Sequence, residues 1–242
     1  MAAVPPAAFR WVRGEDHLAR YATSPDAERV FCRRCGSAMP NGADFQGLVF
    51  VPIGALEGSF EAVSEGHIFV ASKAPWHDIA DGLPTFDAFP PGVEAPLLPD
   101  LPRAAAGPGR AGGSCLCGAV RWVIAGEPVL ARRCHCLRCR RARAHSHAAN
   151  AFVARDALQW TRDGDAVKLF KLPEAERFSQ AFCGECGGKV PWLIESRGVW
   201  NVPLGALDDD PGVRPSQHIY VGSKAPWFEI HDDLPRFEER PD

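Results

Sequence analysis

Cys134-His135-Cys136-Leu137-Arg138-Cys139 places three thiols within six residues. The two-residue spacer between Cys136 and Cys139 is the knuckle spacing that turns both sulfurs toward one metal ion. Cys134 adds a third sulfur from the end of a preceding strand. Thiolates in this pattern suit Zn²⁺, and three protein ligands on a tetrahedral ion leave one position open. An open position separates a catalytic zinc from a structural one.

Working outward, two further pairs flank this cluster: Cys115-Leu116-Cys117-Gly118 before it and Cys183-Gly184-Glu185-Cys186-Gly187 after it. Each pair sits beside glycines, which let the backbone turn under a metal and leave amides free to donate to sulfur. Two plus two makes a closed four-thiolate site of the structural type. Such a site ties the first strand of a domain to its centre and supplies on the order of 10 kcal/mol of folding free energy. The spacing alone leaves open another division of the seven thiols between two ions. Cys32 and Cys35 complete the nine cysteines. An odd, tightly grouped count points to metal rather than to a disulfide framework.

Composition sets the frame. The chain has 242 residues, 46% hydrophobic and 24% charged, with a formal net charge of -3. Those values are ordinary for a globular protein, and the charge argues against a nucleic-acid or anionic-membrane partner. The stretch from Met1 to Tyr21 has no apolar core of the kind a secretory signal needs, so a cytoplasmic location with reduced thiols is expected.

The chain repeats itself. His67-Ile68-Phe69-Val70-Ala71-Ser72-Lys73-Ala74-Pro75-Trp76 returns as His218-Ile219-Tyr220-Val221-Gly222-Ser223-Lys224-Ala225-Pro226-Trp227. The offset is 151 from Cys32 against Cys183 to Phe86 against Phe237, and 149 upstream, where Trp11 meets Trp160 and Val4 meets Val153. Nothing before residue 4 corresponds to residues 113–152. We therefore expect a partial copy over 1–88, a Pro/Gly/Ala-rich linker over 89–112 and a complete copy over 113–242. Short segments rich in β-branched and aromatic residues predict a mainly β fold, with strands over 119–124, 150–153, 167–172, 178–182, 190–195, 198–202 and 218–221. The one helical turn is expected over Leu137 to Ala144.

Taken together, Gly113-Ser114-Cys115-Leu116-Cys117-Gly118, then Cys134-His135-Cys136-Leu137-Arg138-Cys139-Arg140, then Phe182-Cys183-Gly184-Glu185-Cys186-Gly187 resemble the glutathione-dependent formaldehyde-activating enzyme family, which includes centromere protein V. The order and spacing of all three motifs match. The resemblance covers 113–242 completely and 1–88 as the C-terminal two-thirds of a second domain. It implies a β-tent fold, duplicated, with two zinc ions per complete domain. The structural ion falls to Cys115, Cys117, Cys183 and Cys186, and the catalytic ion to Cys134, Cys136 and Cys139. The implied activity is that of a carbon–sulfur lyase acting on a small-molecule thiol and aldehyde or their adduct, such as S-hydroxymethylglutathione. A zinc-stabilised binding module, using an arginine-rich face for protein or nucleic acid without catalysis, is the rival reading.

The neighbours of the cluster divide in the same way. Arg132, Arg133, Arg138, Arg140, Arg141 and Arg143 crowd twelve residues. Most are expected to offset thiolate charge, with Arg138 and Arg140 as candidate clamps for substrate carboxylates. His147, with His135 and His145 nearby, is a candidate substrate contact or proton carrier. Trp227 is a candidate pocket wall, although the first copy keeps Lys73, Pro75 and Trp76 without any three-thiol cluster, which favours a structural role for that block. Trp160, Trp192 and Trp200 read as core. The family has Gly where this chain has Ala144. For the missing third of the first copy the expectation is a start lying upstream of Met1. The alternatives are a half-domain docked on the complete copy, or two chains sharing a zinc through Cys32 and Cys35 of each.

Overall fold

The computed structural model describes residues 1–25, 27–42, 47–58, 60, 64–94, 97, 106–162 and 164–241. Part of the expected linker, residues 95, 96 and 98–105, lies outside them. The fold is mainly β. The first copy supplies β1 (Ala2–Val4), β2 (Leu18–Ser24), β3 (Ala27–Cys32) and β4 (Val49–Val51). The second supplies β5 (Arg110–Ser114), β6 (Arg121–Ala125), β7 (Leu130–Cys134), α1 (Leu137–Arg143), β8 (Ala148–Ala154) and β9 (Leu158–Arg162). It continues with β10 (Val167–Lys171), β11 (Ser179–Cys183), β12 (Lys189–Val190), β13 (Trp192–Ile194), β14 (Val199–Pro203), β15 (His218–Ile219) and β16 (Arg236–Phe237).

A six-stranded sheet in the order β13-β14-β8-β7-β15-β16 forms the centre. β8 lies inside it and is buried along almost its whole length, which explains its run Ala-Asn-Ala-Phe-Val-Ala. Two three-stranded sheets, β5-β6-β9 and β10-β11-β12, flank it. In β6 the alternation is strict: Trp122 and Ile124 are buried while Arg121 and Val123 are only half-buried. Trp122 lies across β5, where a side chain on Gly113 would meet its indole at 2.4 Å. That close approach selects glycine in the middle of a strand, and it is why β5 is hard to see in the sequence. β5 also draws the residues from Arg110 onward out of the expected linker and into a sheet.

Elsewhere the expected strands shift for local reasons. The segment expected as one strand over 190–195 is split at Pro191, which has no amide hydrogen to donate. β12 joins one sheet and β13 another. The strand expected over 218–221 stops at Ile219, because Tyr220 takes φ +57 and starts the 3-10 turn Val221–Ser223. β9 was not anticipated. Its Trp160 is half-buried and packs edge-on between Trp122 and Trp200. Trp192 and Trp200 are likewise half-buried against the core rather than enclosed in it.

The two copies agree in backbone detail. Ala2 faces Val51 and Val4 faces Val49 across β1 and β4, and at the repeat offsets Ala151 faces Val202 and Val153 faces Trp200 across β8 and β14. Leu18 opposite Cys32 matches Val167 opposite Cys183. Phe69 repeats the left-handed φ of +57 found at Tyr220. The block shared around Lys73 and Lys224 is held by its own backbone: each ammonium donates to two carbonyls, of Ala74 and His77 in one copy and of Ala225 and Phe228 in the other. A lysine satisfied in this way is a structural pin, as its presence in both copies suggests.

The first copy is docked on the second through reciprocal contacts. A side chain on Gly36 would strike the Phe182 ring at 2.3 Å, and one on Gly187 would strike the Phe31 ring at 2.4 Å. These are equivalent positions, so the packing has an approximate two-fold character. Tyr21 and Trp76 pack against the core of the second copy, and Trp227 leans on Phe60 of the first. The two-fold relation fails at the helix of the second copy. The 3-10 turn Ile53–Ala55 packs on the C-terminal end of α1, where a side chain on Gly54 would lie 2.2 Å from the His145 amide. The equivalent Gly205 has nothing within 4 Å, since the first copy has no counterpart of α1.

That asymmetry yields a matched pair of substitutions. Gly54→Ala must push the turn off the helix end and is expected to destabilise by about 1–3 kcal/mol. Gly205→Ala meets open space and should stay within about 0.5 kcal/mol of the parent. Urea unfolding midpoints measured on both variants check this, and equal midpoints would show that the Gly54 contact is absent in solution.

Candidate metal centre

Two groups of sulfurs converge in the second copy. Cys115 and Cys117, from the turn after β5, meet Cys183 and Cys186, from the knuckle after β11, and all four sulfurs lie within 4.8 Å of one another. Cys115 to Cys117 is 3.5 Å and Cys117 to Cys183 is 3.7 Å. Cys115, Cys183 and Cys186 are buried and Cys117 half-buried. The Val120 amide donates to Cys115 Sγ at 3.3 Å and the Gly188 amide to Cys186 Sγ at 3.4 Å. Such donors steady sulfurs that carry charge.

Cys134, Cys136 and Cys139 form the second group, again within 4.8 Å. Cys134 ends β7 and is buried, whereas Cys136 and Cys139 are only half-buried. Cys136 is the N-cap of α1, its sulfur accepting from the Cys139 amide at 3.4 Å. The cap and the knuckle are thus one structure. At the other end of α1, Ala144 takes φ +55, a position where glycine costs nothing and alanine is strained.

Each group shares its protons unevenly. Cys136 is pulled down to about 3 by thiol hydrogen bonds from Cys134 and Cys139, while Cys134 is pushed up to about 12 by its bond to Cys136. Cys186 is pulled down to about 2 by hydrogen bonds from Cys115 and Cys183, and Cys117 is pushed up to about 12, mainly by burial. Packed sulfurs thus hold few negative charges by themselves, and a divalent cation lets the others ionise. Soft donors in this number fit zinc.

A hydrogen-bonded chain buttresses the three-thiol group. Asp232 Oδ1 is 2.9 Å from His218 Nε2, and His218 Nδ1 is 2.7 Å from His135 Nε2. His135 is fully buried and stands between Cys134 and Cys136. Its amide donates to the Ile219 carbonyl at 2.9 Å, so β15 braces the strand end that carries the cluster. Burial and the neighbouring His218, Lys224 and Arg133 charges pull His135 down to about 4. Nothing local in the sequence marks this chain, because its members come from three distant segments. The first copy keeps its outer link, His67 Nε2 to Asp81 at 2.9 Å, without a cluster nearby.

The candidate contacts fall in different places. Arg138 is exposed beside the cluster. Arg140 is buried at 8% exposure and its Nε has no hydrogen-bond partner. The other arginines are engaged: Arg132 over the Phe152 ring, Arg133 with Asp232, Arg141 with Glu57 of the first copy, and Arg143 with Asn150 at 3.0 Å. His147 is half-buried, with its ring 5.2 Å from that of His135 and its Nδ1 3.0 Å from Ser146 Oγ. Burial and the nearby His145 and His135 hold it well below the usual histidine range. Phe228 lies against both histidines, and Trp227 lies one ring beyond, between Phe228 and Phe60. A shallow cavity of about 430 Å³, lined by Arg162, Asp165, Lys168 and Glu185 among others, opens on the Gly184–Glu185 knuckle of the four-thiol group instead.

No helix is long and apolar enough to cross a membrane among the described residues. No curated protein is matched by the sequence. Among solved structures the chain is similar to the crystal structure of a Rhodobacter sphaeroides protein determined as a structural genomics target. The two are 28% identical over 43% of this chain and 97% of that one, with a TM-score of 0.33. The model of the glutathione-dependent formaldehyde-activating enzyme family matches residues 1–72 and 110–223, one segment in each copy. With well over half of its length matched, and with the cysteine groups of the second copy assembled as described, the chain belongs to the glutathione-dependent formaldehyde-activating enzyme family.

Proposed function

We propose that residues 113–242 form a complete β-tent domain holding two zinc ions, one at Cys115, Cys117, Cys183 and Cys186 and one at Cys134, Cys136 and Cys139. Residues 1–88 form a partial copy with no such pair of sites. The protein then acts as a carbon–sulfur lyase on thiol–aldehyde adducts of the S-hydroxymethylglutathione kind. One observation carries the reading. Among the described residues the second group offers three sulfurs and no fourth histidine, cysteine or carboxylate, in a half-buried setting, whereas the first is complete and largely buried. When bound in the three-thiol group, zinc supplies a positive charge that favours a substrate thiolate and polarises a carbonyl oxygen.

The chain's own groups do the rest. Arg138 stands free beside the cluster to take a substrate carboxylate. His147 stays neutral near pH 7 and can hold or release a proton at Nε2, with Nδ1 oriented by Ser146. Phe228 and Trp227 give the histidines an apolar cover that limits water. The rival module reading loses support from the same residues, because four of the six arginines around the cluster are tied to protein partners.

Metal analysis should find two zinc ions per chain. Cys136→Ser is expected to lose one ion and the activity while remaining folded. Cys183→Ser breaks the tie between distant strands and should unfold or aggregate. Equal loss of solubility in the two variants would count against separate catalytic and structural sites. For the substrate, formation of S-hydroxymethylglutathione from glutathione and formaldehyde is the assay. Arg138→Ala should raise KM about tenfold for glutathione while leaving a carboxylate-free thiol unaffected. An unchanged KM for glutathione would remove Arg138 from the site.

A further inference from the structure

The first copy keeps half of a metal site. Cys32 and Cys35 occupy the knuckle that Cys183 and Cys186 occupy in the second copy. The Gly36 amide donates to the Cys32 carbonyl at 2.7 Å, as Gly187 does to Cys183 at 2.8 Å, and the Cys32 amide donates to Ser37 as Cys183 does to Gly188. Gly36 and Gly187 share the left-handed turn, at φ +71 and +69. The backbone that aims two sulfurs at one point is therefore intact. Its target is missing: among the described residues the groups of three or more metal ligands are the two in the second copy.

The residues around the knuckle differ from those of the second copy. Ser37 Oγ is 3.3 Å from Cys35 Sγ, at the position where the second copy has Gly188. Lys189 reaches across from the second copy, its Nζ donating to the Cys35 carbonyl at 3.3 Å while it lies over the Phe182 ring at 5.5 Å. Gln180 donates to the same carbonyl. Between the cysteines, exposed Arg33 and Arg34 replace Gly184 and Glu185. The first-copy knuckle thus carries two exposed arginines between its thiols and an amino group at its Cys35 carbonyl. Both sulfurs are half-buried and so open to small molecules.

We propose that Cys32 and Cys35 form a redox-active dithiol that exchanges with low-molecular-weight, carboxylate-bearing disulfides and closes to an internal disulfide. The local chemistry sets the order of events. The Cys32 thiol donates to Cys35 and, against the cost of burial, the Ser37 hydroxyl and amide help to pull Cys35 down to about 5. Cys32 is pushed up by the same bond. Cys35 is the thiolate and attacks one sulfur of the disulfide RSSR, forming Cys35–S–S–R and releasing RS⁻. Cys32 then attacks the Cys35 sulfur. The Cys32–Cys35 bond forms, the Cys35–SR bond breaks, and the second R group leaves as RSH with the Cys32 proton. The two cysteines are oxidised by two electrons and RSSR is reduced to two thiol equivalents. Arg33 and Arg34 supply the positive field that draws an anionic disulfide to the pair.

The test uses the full zinc-loaded chain in buffers of reduced and oxidised glutathione at stepped ratios, quenched in acid, alkylated, digested with trypsin and read by mass spectrometry. Trypsin cuts after Arg33 and Arg34, so the Cys32 and Cys35 peptides stay joined only if the disulfide has formed. The joined peptide should accumulate as the ratio becomes oxidising, with the zinc content unchanged. Cys32→Ser should trap glutathione on Cys35, and Cys35→Ser should slow glutathionylation of Cys32 at least tenfold. Failure of the joined peptide to form before zinc is lost would overturn the proposal. So would loss of a zinc ion in Cys32→Ser, which would make the pair a metal ligand instead.

Discussion

Four sulfurs brought from the start and the centre of a β domain to within 4.8 Å of one another are a demand on the whole chain around them. Sulfurs at that spacing either share protons, at a cost in charge, or bind a cation that lets them all ionise. The turn after β5 and the knuckle after β11 must be held at one point before either solution is available. The flanking sheets β5-β6-β9 and β10-β11-β12 do that, with Trp122, Ile124, Val153 and Val190 packed beneath the sulfurs in one cluster. The three-thiol group depends on this frame at second hand. It sits at the end of β7, and β7 is held between β8 and β15 in the central sheet.

Docking of the first copy adds a further constraint on α1. Glycine at 54 brings a turn of the first copy onto the helix end, and Glu57 pairs with Arg141 on the same helix. A helix of two turns would be marginal alone. Here it is capped by a cysteine sulfur at one end and covered by the other copy at the other. The reciprocal approach of Gly36 to Phe182 and Gly187 to Phe31 keeps both two-cysteine knuckles near the contact between copies. The first copy thereby serves as packing for the second. Its own two-cysteine knuckle lies next to Lys189 of its neighbour.

Much of the fold and of the site was legible from local patterns. The cysteine groups were readable because metal ligation demands fixed spacing along a turn, as at Cys136 and Cys139. The repeat was readable because the same backbone needs the same residues: Tyr220 and Phe69 hold the same left-handed φ, and Lys224 and Lys73 pin the same carbonyls. Arg132, Arg133, Arg141 and Arg143 were expected to offset thiolate charge, and each instead meets a protein partner that the sequence did not indicate. β5 escaped notice because two of its five residues are glycines, and one of them, Gly113, makes room for an indole that arrives from another strand.

By itself the sequence determined that seven cysteines fall into three tight groups, that the chain is a β protein copied once in part, and that one helical turn grows from the central cluster. Spacing and periodicity are local, and local chemistry writes them into neighbouring residues. Only the tertiary structure decided which sulfurs meet, that Asp232, His218 and His135 line up behind the cluster, and that the first copy lies on α1 with Cys35 beneath Lys189. Those relations join residues that are tens to more than a hundred positions apart. Distance along a chain carries no record of proximity until packing around a core brings the partners together.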